Sequence, residues 1–349
     1  MEIQQNITTP DRIKKMSISQ TEYQNLFVHQ KKSENGEQIQ FLQSEKNKVI
    51  ICIYKPSNIK NEQRQEQLSI NNLKENDQVI VKQIYLQLGT KDKKRPARDV
   101  TNLRRAQERQ IGVIEHPSVV KAYGIYDLQN ENNQFIVMEK GDYNLKNLLD
   151  SNEQLTFMEQ IRFITSILSG FACLLSHNLY HLDYKPENFI IFNSKNEGQK
   201  QIKLTDFGSS IWIQSGKTSE QYVVTGSQEF RAPEIKPFQQ YCRINTPYNA
   251  EKCDVYSLGK VFLMIIGQKY SLEDLEIPQE YISLGLIDLI NGMLEIDPDK
   301  RYNFYNVNSL WMQILQKIES KFINAQQVKL ALLFLKNLGK AIGYNIGVN

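Results

Sequence analysis

The sequence predicts an α+β chain: a small sheet-forming first part, then a larger and mainly helical second part. Three observations predict it. Strand-like runs crowd the region before about residue 138: Val49–Tyr54, Gln78–Ile84, and Val119–Tyr126 with Gln134–Met138. Each is rich in β-branched and aromatic residues and bounded by polar ones. One helical stripe interrupts them, with Val100, Leu103, Gln107, Ile111 and Ile114 at three-four spacing. Helical periodicity then dominates, most clearly over Phe157–His177, where Ile161, Ile164, Ile167, Leu168, Phe171, Ala172 and Leu175 share a face.

In chain order, residues 1–37 are polar and lack sustained periodicity, which predicts a flexible tail, with Ser17, Ser19 and Thr21 as candidate phosphorylation sites. Pro56–Asp77 is rich in Asn, Gln, Glu and Lys and reads as an extended loop between two antiparallel strands. Ala97–Ile114 is the one helix expected in this part. Asn130-Glu131-Asn132-Asn133 separates the next two strands, so they form a hairpin. Leu145–Leu149 and Phe157–His177 are helical, and the second delivers the chain to His181. Beyond about Ser320, Val328–Leu338 is an apolar helix candidate.

At 349 residues the chain is long enough for one large domain or two, with a sizeable core. A net charge of +3 is nearly neutral at this size, so it predicts neither a nucleic-acid nor a membrane-surface partner. Cys52, Cys173, Cys242 and Cys253 form no C-x-x-C pair, and His29, His116, His177 and His181 lack zinc spacing, which suits free thiols in a reducing compartment. No continuous apolar run approaches the ~18 residues that span a bilayer. The first residues hold no signal-peptide pattern, and Glu2 stands where N-myristoylation requires glycine. A cytoplasmic or nuclear location is expected; oligomeric state is not indicated.

The chemistry concentrates in His181-Leu182-Asp183-Tyr184-Lys185-Pro186-Glu187-Asn188, followed by the apolar Phe189-Ile190-Ile191 and then, eighteen residues after Asn188, by Asp206-Phe207-Gly208. This set suits phosphoryl transfer, where charge develops on the transferring oxygens, metal ions bridge the phosphates and a carboxylate holds the attacking hydroxyl. Asp183 can orient that hydroxyl and take its proton. Lys185 can neutralise the transferring group. Asn188 and Asp206 offer hard oxygen ligands for Mg²⁺.

These two segments resemble the catalytic loop and magnesium loop of the eukaryotic protein kinases, H-R-D-x-K-x-x-N and D-F-G, with Leu182 in place of the usual Arg. Further landmarks follow in the family's order: Lys82 for the Lys of V-A-I-K, His116-Pro117, Gly226-Ser227 through Ala232-Pro233-Glu234 for G-T-x-x-Y-x-A-P-E, Asp254 in D-V-Y-S-L-G, and Asp297-Pro298-Asp299-Lys300-Arg301 for D-P-x-x-R. The resemblance covers roughly residues 38–320. It implies a two-lobed protein-kinase-like fold, a small antiparallel sheet lobe with one main helix (38–138) and a larger mainly helical lobe (139–320), with a C-terminal helical extension at 321–349.

It also implies the site. Asp183, Lys185 and Ser227 would be catalytic, Asn188 and Asp206 would carry Mg²⁺, and Lys82 would orient ATP. Val49, Ile80, Met138, Glu139 and Ile190 fall at nucleotide-contacting positions. The acidic partner of Lys82 is Glu108 or, in the other helix register, the place falls on Gln107. Asp254 would anchor the catalytic loop and Arg301 would pair with Glu234. Lys185 and Ser227 resemble the serine/threonine branch, which implies ATP, Mg²⁺ and a protein substrate. Two features depart: Leu42, Ser44 and Asn47 replace the phosphate-loop glycines, with Glu45 at that loop's tip, and Ile80 replaces a small Ala beside the adenine. Those departures keep open a second reading, a pseudokinase acting as a binding or scaffolding module. A small-molecule kinase of similar fold is a third. Leu182 further implies that activity depends little on phosphorylation of Thr218, Ser219 or Thr225, because the phosphate's usual guanidinium partner is missing.

Overall fold

A computed structural model describes residues 15–29, 47–68, 70, 73–85, 115–128, 133–151, 153–193, 199–213, 226–235, 248–267 and 278–321. The chain divides into two compact units and passes to the second after Lys140; residues 116–119 also belong to the second.

The first unit is built on a six-stranded sheet: β1 (Lys15–Ile18), β2 (Phe27–His29), β3 (Asn47–Tyr54), β4 (Gln78–Tyr85), β5 (Ala122–Leu128) and β6 (Asn133–Glu139), in the order β1-β5-β6-β4-β3-β2. All its pairings are antiparallel except β1 with β5, which is parallel. The strands expected from β-branched runs lie where they were read, each within a few residues. Period-two alternation assigns their faces. Ile50, Cys52, Val79, Val81, Phe135 and Val137 point into the unit's core. The register sets Val49 opposite Lys82 and Ile80 opposite Met138, so Val49, Ile51, Ile80, Lys82, Ile136 and Met138 share the other face.

Two expectations are corrected in this unit. Residues 15–29, expected within a flexible tail, form β1, α1 (Gln20–Leu26) and β2, and so supply both edges of the sheet. Their apolar residues are few but well placed: Met16, Ile18, Tyr23, Leu26 and Phe27 are buried against the core. A reciprocal Ser19–Glu22 capping box starts the helix. The Pro56–Asp77 segment is no extended loop either. It contains a 3₁₀ turn at Pro56–Asn58 and α2 (Glu62–Leu68), and it lays Ile59, Leu68 and Ile70 on the same core. Arg64 of α2 ties the two additions together, donating to Glu22 Oε1 at 2.6 Å and to the Ser17 carbonyl at 2.7 Å. The helix expected at 97–114, with Gln107 and Glu108, lies outside the described residues, as do Leu42, Ser44 and Glu45.

The second unit is mainly helical: α3 (Leu145–Asp150), α4 (Phe157–Ser176), α5 (Ala250–Gly267), α6 (Gln279–Leu284), α7 (Leu286–Met293) and α8 (Phe304–Lys321). A Thr156–Glu159 capping box starts α4 where the sequence reading began it. α4 is long and apolar enough by composition to cross a membrane, but 67% of that window is buried inside the fold, as for a core helix. Two small sheets lie beside the helices: β7 (Tyr143–Asn144), β9 (Phe189–Asn193) and β10 (Lys200–Leu204) in the order β10-β9-β7, and β8 (Leu179–Tyr180) with β11 (Ile211–Trp212). Together these strands present the segments 181–188 and 205–208. The helix candidate at 328–338 and the loop sites Thr218, Ser219 and Thr225 fall outside the described residues.

Candidate active site

The 181–188 loop is held from below by one buried carboxylate. Asp254 of α5 accepts the His181 N–H on Oδ2 and the Leu182 N–H on Oδ1, both at 2.8 Å. These two N–H bonds fix the turn at Leu182, which lies in the left-handed region, φ 59°, that a leucine rarely adopts. Burial pushes the Asp254 carboxyl up to about 8, against the opposing pull of those two N–H groups. His181 is fully buried and structural. Its Nδ1 accepts the Asp183 N–H at 3.3 Å, which assigns the proton to Nε2, 3.0 Å from the Thr205 carbonyl. Burial lowers its pKa despite the neighbouring Asp183, so the ring stays neutral.

Asp183 is the centre of the arrangement. Its Oδ1 accepts the Ser227 N–H at 2.8 Å and the Ser227 hydroxyl at 3.2 Å. Its Oδ2 faces Lys185 Nζ at 3.1 Å and Asn188 Nδ2 at 3.2 Å. Lys185 Nζ also donates to Ser227 Oγ at 2.8 Å. Asn188 Nδ2 donates again, to the Asp183 carbonyl at 2.7 Å, which leaves the amide oxygen as the atom Asn188 can offer a cation. The antiparallel β9–β10 pair and a Thr205 N–H bond to the Asn188 carbonyl at 2.9 Å bring Asp206 alongside. Asp206 is itself left-handed, φ 62°, with Oδ1 accepting the Gly208 N–H at 3.2 Å. Five of the expected site residues, from three separate stretches of chain, thus come together. Ile190 lies in β9, packed so closely on Gly141 that a Cβ there would collide with it.

In the first unit, Lys82 is buried at 8% exposure on the face it shares with Val49, Ile80 and Met138. Ile80 is half-buried. Glu139 ends β6, where its N–H bonds the Lys121 carbonyl and its Oε1 accepts the Lys121 N–H at 2.6 Å.

The sequence profile of the protein kinase domain matches residues 67–317. The chain belongs to the protein kinase family. Among curated proteins it is 29% identical over 232 residues to the probable serine/threonine-protein kinase fhkA of Dictyostelium discoideum, covering 54% of this chain and 38% of that protein. It is 30% identical over 226 residues to the SNF-related serine/threonine-protein kinase of Rattus norvegicus, covering 59% and 28%. It is 29% identical over 230 residues to the serine/threonine-protein kinase dkf-2 of Caenorhabditis briggsae, covering 61% and 18%. The matched part is well under half the length of each relative.

In this kinase domain the segment ending at Glu234 is fastened twice. Gly226 has φ 92°, and a Cβ there would strike the Leu182 carbonyl. Gly226→Ala is therefore expected to cost ~1–3 kcal/mol of stability and to displace Ser227 from Asp183. A lowered melting midpoint is the expected result; an unchanged midpoint would count against the contact. At the other end Arg301 holds Glu234 with NH1 at 2.7 Å and NH2 at 2.8 Å. Its remaining donors reach the carbonyls of Glu295, Lys252 and Ile296, so all five are used.

Sequence reasoning missed one element here. Leu182 was read only as a missing Arg, yet it is 8% exposed in an apolar cluster with Ile211, Ala232, Ile235 and Cys253. That cluster joins the catalytic loop to the A-P-E segment by packing. The spacing of these residues along the chain carries no signal that could have found it.

Proposed function

We propose that this chain is a serine/threonine protein kinase that transfers the γ-phosphoryl group of ATP to protein hydroxyls. The observation that carries the reading is the Asp183 carboxylate, held in one orientation by Asn188, Lys185 and both donors of Ser227. Such a carboxylate can accept a hydrogen bond from a substrate hydroxyl and aim its oxygen at phosphorus. As the new O–P bond forms and the bond to the ADP oxygen breaks, the hydroxyl proton passes to Asp183. Lys185, already beside both Asp183 and Ser227, offsets charge on the transferring group.

Asn188 and Asp206 would hold Mg²⁺, which would supply positive charge to offset that developing on the phosphates. The donor set suits that ion. Asn188 presents an amide oxygen and Asp206 a carboxylate, and no group of three or more His, Cys, Asp or Glu able to hold a metal occurs among the described residues. Mg²⁺ is held in this way, by one or two protein oxygens with waters and phosphates, and not by a full protein cage. Lys82 would orient the nucleotide phosphates from its sheet face, with Val49, Ile80, Met138, Glu139 and Ile190 as nucleotide contacts and Glu108 as the partner of Lys82.

Ile80 favours the second reading, a pseudokinase that binds or scaffolds. A branched chain on the Lys82 face, with Leu42, Ser44 and Asn47 in the phosphate loop, weakens the hold on nucleotide and leaves the transfer residues in place. Ile80→Ala is expected to tighten Mg²⁺-ATP binding about tenfold, read as a larger rise in melting midpoint at fixed nucleotide. The deciding experiment pairs that melt with phosphate transfer to a generic protein substrate. A melt shift and labelled Ser or Thr support the kinase; neither shift nor label leaves the scaffold.

A further inference from the structure

We propose that Tyr184 is a positioning residue for phosphoryl transfer: its ring locks the His181 imidazole, and through it the backbone at Asp183. The role rests on the kinase reading above, which places the reacting hydroxyl on Asp183. The two chain neighbours of Asp183 are both buried, Leu182 at 8% exposure and Tyr184 at 0%. Leu182 is held in the apolar cluster with Ala232 and Ile235. Tyr184 packs elsewhere. Its ring centroid lies 5.9 Å from that of Phe171 in α4, edge-on at 80°, and 6.1 Å from that of Phe189 in β9, nearly parallel at 19°. The Asp183 carboxylate is thus carried on a backbone pinned from both sides, by side chains with different partners.

The third neighbour of the Tyr184 ring is His181, with 4.7 Å between centroids and 31° between planes. Both nitrogens of that imidazole are used. Nδ1 accepts the Asp183 N–H at 3.3 Å, and Nε2 lies 3.0 Å from the Thr205 carbonyl. Turning the imidazole would break both bonds, and it can turn only by sweeping through space that the phenol ring fills. The Tyr184 hydroxyl has no part in this. Its oxygen is buried without a hydrogen-bond partner among the described residues, which costs free energy. Filling the core alone would be better served by a side chain without that oxygen. The flat aromatic face is the working part, and it works where a small displacement of Asp183 would spoil the alignment that attack on phosphorus requires.

The test compares wild type, Tyr184→Leu and Tyr184→Phe as whole chains, with kcat and KM for Mg²⁺-ATP and a serine peptide, and a melting curve on each. Tyr184→Leu is expected to lower kcat about tenfold to a hundredfold while both KM values stay within about twofold. A residue that only fills the core would lower the melting midpoint and leave kcat of the folded protein in place. Tyr184→Phe keeps the ring and should hold kcat near the wild-type value, with a raised melting midpoint because the orphan oxygen is gone. Amide hydrogen exchange gives a readout that needs no transfer: Tyr184→Leu should speed exchange over residues 181–184 and leave α5 protected. Wild-type kcat in Tyr184→Leu, or lost kcat in Tyr184→Phe, overturns the proposal, and the Phe variant decides alone if the Leu variant does not fold. If wild type itself transfers no phosphate, faster exchange at 181–184 keeps the lock and the enzymatic reading falls, whereas unchanged exchange overturns the lock as well.

Discussion

Asp183→Asn is expected to reduce phosphate transfer ~10²–10⁴-fold, the range for removing a positioned general base. The substitution keeps size and shape, so its effect is chemical. The amide oxygen can still accept the Ser227 N–H and hydroxyl, now at 2.8 and 3.2 Å. The new NH₂ group replaces Oδ2 and faces Asn188 Nδ2 and Lys185 Nζ, both donors, at 3.2 and 3.1 Å. A loss of ~1–3 kcal/mol in stability should accompany the lost activity, because two donors are left facing a third. Radiolabel transfer to a serine substrate and a melting curve on the same samples separate the two effects. Equal transfer by wild type and variant would mean that any activity observed comes from elsewhere.

The largest effect on stability is expected at Arg301. Arg301→Met should destabilise the second unit by ~3–5 kcal/mol, since it leaves Glu234 and three carbonyls without their donor in a buried place. A fall of roughly 10 °C in melting midpoint would follow. The pH dependence has a definite sign. Burial alone would raise the Glu234 pKa, but Arg301's hydrogen bonds and charge outweigh it and hold the carboxyl below the usual range. A carboxylate whose folded pKa is depressed contributes stability above its unfolded value, about 4.3, and loses it as pH falls through the folded value. The gap between wild type and Arg301→Met should therefore be full at neutral pH and narrow in acid. A gap that widened on acidification would show that the ion pair is not its source.

The chemistry of the candidate site was written in short stretches of sequence. His181–Asn188 places Asp183, Lys185 and Asn188 within one loop, and Asp206 follows one hairpin later. The roles read for Ser227, Asp254 and Arg301 correspond to bonds in the structure, because each partner sits at a marked place in the chain. Leu182 was not recognised in the same way. What distinguishes it is the apolar cluster it joins with Ile211, Ala232, Ile235 and Cys253, and that packing is not local.

The fold divides along the same line. Strand runs, the α4 periodicity and its Thr156–Glu159 box declare themselves because they depend on residues within one or two turns of each other. The strand-helix-strand at 15–29 and the helix in 56–77 look polar along the chain, since only a few scattered side chains such as Ile18, Phe27 and Leu68 are apolar. Their burial is decided by sheet edges and a core face made by residues far away in sequence. By itself, then, the sequence determined which groups are candidates for the chemistry and where most strands and helices begin. Only the tertiary structure decided which polar segments complete the sheet, and which apolar side chains pack around Leu182, because both are settled by contacts between distant stretches of chain.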